Sequence, residues 1–209
     1  MTALDFWFDF ASTYSYLTAL RIESEAAKGR ADVRWRPFLL GPIFQAQGWN
    51  TSPFNVYPAK GRYMARDILR LAEARGAVFR MPDPFPQNSI LAARVALAID
   101  DHPARGAFSR AMFEMQFAEA LPINDPAVIA ACLQRAGLSP TAALEAAQTD
   151  RIKALLRAET TEAQRLGIFG APTFVTRDGE LFWGDDRLEM ALGWAGVGAL
   201  NLCHRNLPT

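Results

Sequence analysis

Apolar and polar positions alternate at the start of the chain, where Leu4, Phe6, Phe8 and Phe10 interleave with Asp5, Trp7 and Asp9. A period of two places the first set on one face of a strand, and the aromatic content suits a pleated, half-buried surface. From about Tyr14 to Lys28 the spacing becomes helical, with Tyr16, Leu17, Leu20 and Ile22 apolar, Ser12 placed as an N-cap and Gly29 at the expected C-terminus. Asp32 to Phe38 alternates again, with Val33 and Trp35 on one face. Pro37 confines this segment to a strand end or a sheet edge, because it has no N–H for the ladder. Strand, helix and strand in succession predict a parallel pair.

Beyond Gly41 the pattern changes. A loop rich in Gly, Asn and Pro runs to Pro58, and helical periodicity then occupies Lys60 to Arg75, Ser89 to Asp100 and Ala104 to Ala120. Two further helices start at Asn-Asp-Pro (124 to 126) and Ser-Pro (139 to 140), where a capping residue precedes proline at the first helical position. Arg151 to Leu166 is one more helix, closed by Gly167. Thr173 to Thr176 and Leu181 to Trp183 flank an Asp178-Gly179 turn and predict a hairpin. Asp186 and Glu189 have capping-box spacing and open a final helix through about Ala195. The order βαβ, helices, ββα predicts an α/β fold, a thioredoxin-like domain (residues 1–40 and 160–209) interrupted by an all-helical insertion (41–159).

Composition narrows the function. Lys plus Arg equals Asp plus Glu at 22 each, which gives no reason to expect a nucleic acid or an anionic membrane as partner. Half of the 209 residues are hydrophobic, enough for a core without disulfide staples. Cys132 and Cys203 lie far apart and lack the spacing of a metal site or a redox motif. No leader pattern and no long uninterrupted apolar window is visible, so the expectation is a cytoplasmic, reducing-compartment protein. His102 and His204 have no recognisable partner pattern and are expected to be exposed and passive. A hydrolase triad and a histidine metal site are therefore not indicated.

Ser12-Thr13-Tyr14-Ser15 sits where the first strand hands over to the first helix. Free N–H groups there favour an anion, and a serine hydroxyl can donate to a thiolate. On local signals Ser12 is equally well explained as a helix cap.

Several segments together carry a family likeness: Phe-Asp-Phe-x-Ser-x-Tyr-Ser-Tyr-Leu at 8 to 17, Trp-Arg-Pro-Phe at 35 to 38, Pro-Ala-Lys-Gly-x-Tyr-Met-x-Arg-Asp at 58 to 67, Phe-Pro-x-Asn-Ser at 85 to 89, Gly-Ile-Phe-Gly-Ala-Pro-Thr-Phe at 167 to 174, and Phe-Trp-Gly-x-Asp-Arg at 182 to 187. Over nearly its whole length the chain resembles the 2-hydroxychromene-2-carboxylate isomerases. These are relatives of kappa-class glutathione transferases in the DsbA-like branch of the thioredoxin superfamily.

The resemblance implies glutathione as cofactor, with Ser12 against its sulfur and the backbone of Ala171, ahead of a cis Pro172, against its peptide groups. It implies that Asp185 and Asp186 hold the γ-glutamyl amino group and that Asn50 and Lys60 help to hold the rest. Helix capping, a solvated loop and a surface lysine are the structural alternatives for these residues. Thr13 departs from the proline that commonly follows the family's serine, and the interval from Asn50 to Lys60 is one residue longer than expected. Asn88 and Arg187 fall in the motifs but are equally explained as a cap and a surface ion pair. Trp49, Trp183 and Phe44 are candidates for an apolar wall or for core packing. The implied activity is isomerisation of a small aromatic carboxylate by a homodimeric enzyme of aromatic catabolism. A kappa-like conjugating transferase is the nearest alternative; a dithiol oxidoreductase and a non-catalytic binding module are the others.

Overall fold

A computed structural model describes residues 2–29 and 31–197. The chain opens with β1 (Thr2–Phe8), α1 (Thr13–Ala19), α2 (Ile22–Gly29) and β2 (Ala31–Pro37). Eight helices follow: α3 (Leu40–Ala46), α4 (Pro53–Val56), α5 (Pro58–Ala74), α6 (Ile90–Ala98), α7 (His102–Phe117), α8 (Pro126–Arg135), α9 (Pro140–Gln148) and α10 (Asp150–Arg165). Then come β3 (Thr173–Thr176), β4 (Leu181–Trp183), a 3-10 turn at Asp185–Arg187 and α11 (Leu188–Val197).

The strands form one sheet in the order β2-β1-β3-β4, with β1 parallel to β2 and antiparallel to β3. This is the expected thioredoxin-like arrangement, with Pro37 ending an edge strand. Phe6 is flanked by Trp35 on one side and Phe174 on the other. The alternation read from the sequence divides the two faces. Leu4, Phe6, Phe8 and Phe10 are fully buried in one core with Trp35, Phe113 and Phe174. Trp7 points to the opposite face, where Phe38, Ile43 of α3, Ala163 of α10, Ile168 and Val175 cover it. Full burial of each such side chain is worth about 1.5–3 kcal/mol. The sheet is therefore a rigid base from whose strand ends the loops project.

Four expectations need correction. The helix expected over 14–28 is two helices, because Arg21 N–H turns back to the Thr18 carbonyl (3.0 Å) and the Arg21 guanidinium is drawn to the Asp185 carbonyl (2.6 Å) and to Glu189. That pairing spans more than 160 residues and leaves no local signature. The loop expected from Gly41 to Pro58 contains α3 and α4; Ile43 anchors the first to the sheet, and Ser52 caps the second through Phe54 N–H (3.3 Å). The capping box at Asp186 does not form: a 3-10 turn precedes α11, and Glu189 pairs with Arg21 instead. His102 is half-buried at the first position of α7, behind the Asp101 cap. Burial, then the Arg105, Arg34 and Arg36 charges, hold its pKa below the usual histidine value.

Cys132 is fully buried on α8, and burial pushes its thiol up to about 12. Such a thiol is not a nucleophile at neutral pH. Cys203 and His204 lie outside the described residues. Among those residues no helix is long and apolar enough to cross a membrane, and no group of His, Cys, Asp or Glu has the makings of a metal site.

Candidate functional site

After β1 the chain turns through Asp9 to Ser12, closed by Ser12 N–H donating to the Asp9 carbonyl (2.9 Å). The buried Asp9 carboxylate accepts from Ala11 N–H (2.9 Å) and, across the site, from Leu40 N–H (2.8 Å), which ties this turn to the start of α3. Burial raises the Asp9 pKa, against the opposing pull of hydrogen bonds from Leu40, Ser89 and Ala11.

Ser12 does two things with one hydroxyl. Its Oγ accepts from Ser15 N–H (3.2 Å), which is the cap foreseen for α1, and its O–H donates to the Ala171 carbonyl (3.0 Å). The Ala171–Pro172 peptide is cis. α1 has only seven residues, about half the length of the helix expected here. Ser15, by contrast, is fully buried and its Oγ has no partner among the described residues.

Ser12 opens onto a cavity of about 850 Å3. Asn50, Lys60, Ala171, Pro172, Asp185 and Asp186 line the same cavity, so the seven residues that the resemblance assigns to glutathione share one space, whereas Arg187 does not line it. One wall is a stripe of α5 at helical spacing: Lys60, Tyr63, Met64, Asp67, Leu71 and, just past its end, Arg75. This stripe is fixed to α1 by Thr13 Oγ1 on Met64 Sδ (3.6 Å) and by Tyr14 O–H on Asp67 (2.9 Å). Burial, then Asp67, hold the Tyr14 hydroxyl well above its ordinary pKa.

The acidic pair is divided. Asp185 is buried, and its carboxylate takes Thr18 O–H (2.9 Å), Arg75 (2.5 Å) and the longer Arg21 Nε contact (3.4 Å). Its oxygens are thus engaged inside the protein. Asp186 faces outward with its side chain 72% exposed, and its only ion pair among the described residues is a loose one with Arg187 (3.5 Å). Asp186 is the member of the pair available to a ligand. Asn50 is exposed at the rim, and Lys60 Nζ lies 5.9 Å from the Tyr57 ring. Asn88, one position before the α6 N-cap Ser89, accepts from Ile90 N–H (3.0 Å) and also lines the cavity.

The aromatic wall differs from expectation in one member. Phe44 and Trp183 line the cavity, whereas Trp49 packs behind Phe44 (6.1 Å) and against Tyr57 (6.2 Å). Trp183 is half-exposed and lies against an equally exposed Phe169, their rings 4.9 Å apart. A side chain at Gly170 would collide with the Trp183 indole, so the glycine admits this ring. Asp9, the Tyr14–Asp67 pair, Phe169 and Arg75 were not foreseen as site residues. All of these but Arg75 lie inside the segments that carry the family likeness, Asp9 as a carboxylate between two phenylalanines.

The profile of the DSBA-like thioredoxin domain matches residues 3–193. A 2-hydroxychromene-2-carboxylate isomerase of Sphingobium xenophagum is 29% identical over 193 residues, covering 89% of this chain and 94% of that protein. Glutathione S-transferase kappa 1 of Homo sapiens is 28% identical over 200 residues, covering 90% and 88%. A solved structure of a 2-hydroxychromene-2-carboxylate isomerase superposes with a TM-score of 0.79 at 25% identity, covering 90% of this chain and 91% of that one.

Proposed function

The chain belongs to the DSBA-like thioredoxin domain family, and from that premise we propose that it is a glutathione-dependent isomerase converting 2-hydroxychromene-2-carboxylate, or a polycyclic analogue, to the trans-o-hydroxybenzylidenepyruvate isomer. The observation that carries this reading is the convergence of Ser12, Asn50, Lys60, Ala171, Pro172, Asp185 and Asp186 on one cavity. Serine at both ends of the motif, where a dithiol oxidoreductase needs cysteine, argues for a thiol that is borrowed.

The residues fit a γ-linked tripeptide. Lys60 offers a cation to a carboxylate, Asp186 an anion to an ammonium, Ala171 a peptide group and Ser12 a hydroxyl to sulfur. A volume of about 850 Å3 is at the upper end for small-molecule pockets and leaves room for a bicyclic acid beside the cofactor. Glutathione, when bound, supplies a thiolate that adds reversibly to the conjugated substrate carbon, so that a double bond becomes a single bond free to rotate before elimination.

Ser12 is held in readiness by its own bonds. Its single proton is committed to the Ala171 carbonyl. Were a bound peptide N–H to take this carbonyl, the Ser12 hydroxyl would be free to donate to a sulfur while its oxygen kept capping Ser15 N–H. Asp9 holds the turn in place through Ala11 and Leu40 during this exchange. Phe44, Phe169 and Trp183 form the apolar surface for the ring system.

The reading is of a cytoplasmic homodimer, and a light-scattering mass tests the assembly. Calorimetry with glutathione, followed by parallel assays of chromene-carboxylate isomerisation and of conjugation to an aryl halide, tests the function. Conjugation without isomerisation would replace this reading with a kappa-like transferase, the activity named for the human relative. Absence of glutathione binding would overturn both.

A further inference from the structure

We infer that Arg75 is a carboxylate-binding residue of the cavity, gripping the α-carboxylate at the γ-glutamyl end of glutathione beside Asp186. This rests on the glutathione reading and adds a residue that no sequence pattern marks, since a basic residue at a helix C-terminus ordinarily needs no further explanation.

Three observations carry it. The first is availability. Arg75 lines the cavity with its side chain 30% exposed, and the only side-chain hydrogen bond it makes among the described residues goes from one terminal nitrogen to Asp185 (2.5 Å). A guanidinium has five N–H donors in one plane, so most remain for a ligand. That single bond also fixes the side chain in advance, which lowers the entropic cost of gripping an anion.

The second is charge. Asp185 is shared between Arg75 and Arg21, whereas Arg21 has Glu189 as an additional anion and Arg75 has no second one among the described residues. Arg75 therefore presents incompletely neutralised positive charge to the cavity, while the exposed Asp186, next in sequence to its partner, presents negative charge. A cation and an anion at one end of the cavity match the carboxylate and ammonium of an α-amino acid group.

The third is length. Lys60 and Arg75 sit near opposite ends of α5, about 22 Å apart along its axis. The contacts of Thr13 with Met64 and Tyr14 with Asp67 set the Ser12 turn between them. A tripeptide spans roughly 10 Å, somewhat more through a γ-linkage. Lys60, which lies over the Tyr57 ring on the far side from Arg75 (5.9 Å), has to swing along α5 to cover the difference. One cation then serves each carboxylate, with the sulfur site between.

The alternative is that Arg75 is only a counter-ion for Asp185, and a ligand deletion separates the two roles. Calorimetry would compare glutathione with γ-aminobutyryl-cysteinyl-glycine, the same tripeptide without the carboxylate in question, on the full chain and on Arg75→Met and Arg75→Lys. The wild-type chain should prefer glutathione by about tenfold or more, the effect of one charge-assisted pair. Arg75→Met should lose that preference while binding the truncated tripeptide within twofold of wild type, and Arg75→Lys should keep part of it. Undiminished preference in Arg75→Met overturns the assignment. So does equal affinity of the wild-type chain for both tripeptides, which needs no variant to fold. Binding of neither by the wild-type chain overturns the glutathione reading itself, and Arg75 with it.

Discussion

Replacing Ser12 by alanine removes one hydroxyl with two separable duties. In the unliganded protein the change deletes the buried cap bond from Ser15 N–H (3.2 Å) and the partly buried bridge to the Ala171 carbonyl (3.0 Å). Loss of a serine cap costs about 1 kcal/mol, and loss of a neutral hydrogen bond a similar amount. We expect unfolding free energy to fall by about 2 kcal/mol, or melting by about 4–8 °C for a chain of this size. In the glutathione complex the same hydroxyl is proposed to donate to the thiolate. A hydrogen bond to a charged group is worth about 1.5–3 kcal/mol, equivalent to roughly one to two units of thiol pKa. From a free-thiol value of about 8.5, the bound thiol should titrate near 7 in the wild-type chain and return toward 8.5 in the variant. At neutral pH the isomerase rate should then fall by about ten- to thirtyfold and partly recover as the pH is raised. The assay is ultraviolet thiolate absorbance of each complex against pH, with rates and denaturation curves measured in parallel. A variant that loses the stability but keeps the thiol pKa and the rate would show that Ser12 only caps α1, and the proposed chemistry would lose its centre.

The division of the acidic pair predicts opposite phenotypes. Asp186→Asn should weaken glutathione binding by about 1–2 kcal/mol in calorimetry with little change in melting, whereas Asp185→Asn, which leaves Arg75 without an anion and Arg21 with Glu189 alone, should cost about 2–4 kcal/mol of stability. Asp9 should impose an unusual pH dependence. Its folded pKa is raised from 3.8, so the folded state holds the proton longer than the unfolded state, and stability from this group falls as pH rises from about 4 through the folded value. Denaturation curves across that window should differ between wild type and Asp9→Asn by a slope of up to about 1.4 kcal/mol per pH unit, and parallel curves would refute the assignment. Trp183→Ala should raise the KM for the aromatic acid several-fold and leave glutathione affinity within twofold; an unchanged KM would remove Trp183 from the substrate wall.

The parts of the fold that could be read from sequence are those where a short-range rule coincides with the outcome. Leu4 to Phe8 alternates because each face of β1 meets a different core, and Pro126 and Pro140 start their helices because proline is tolerated at the first turn. What could not be read depends on distant partners. The break between α1 and α2 follows from Arg21 reaching Asp185 and Glu189, and α3 forms where Ile43 meets Trp7 and Phe38. The same division holds for the candidate site. Ser12, Lys60, Pro172 and the aspartates lie in recognisable segments, but that Asp185 is spent internally while Asp186 is free depends on Arg75, 110 positions away.

The position of β1 bears on how the chain is made. It occupies the middle of the sheet, yet its partner on one side is adjacent in sequence while the other, β3, lies beyond all of the helices α3 to α10. At about 5–20 residues per second, synthesis of the intervening chain takes roughly 8–30 s. Throughout that interval a strand reading Leu-Asp-Phe-Trp-Phe exposes one unpaired edge, and its aromatic face awaits most of its covering. An open, aromatic, early-made strand edge is a template for pairing with other nascent chains. This chain therefore has reason to depend on chaperone cover while it is synthesised, and truncations that remove β3 should aggregate rather than persist as partly folded monomers.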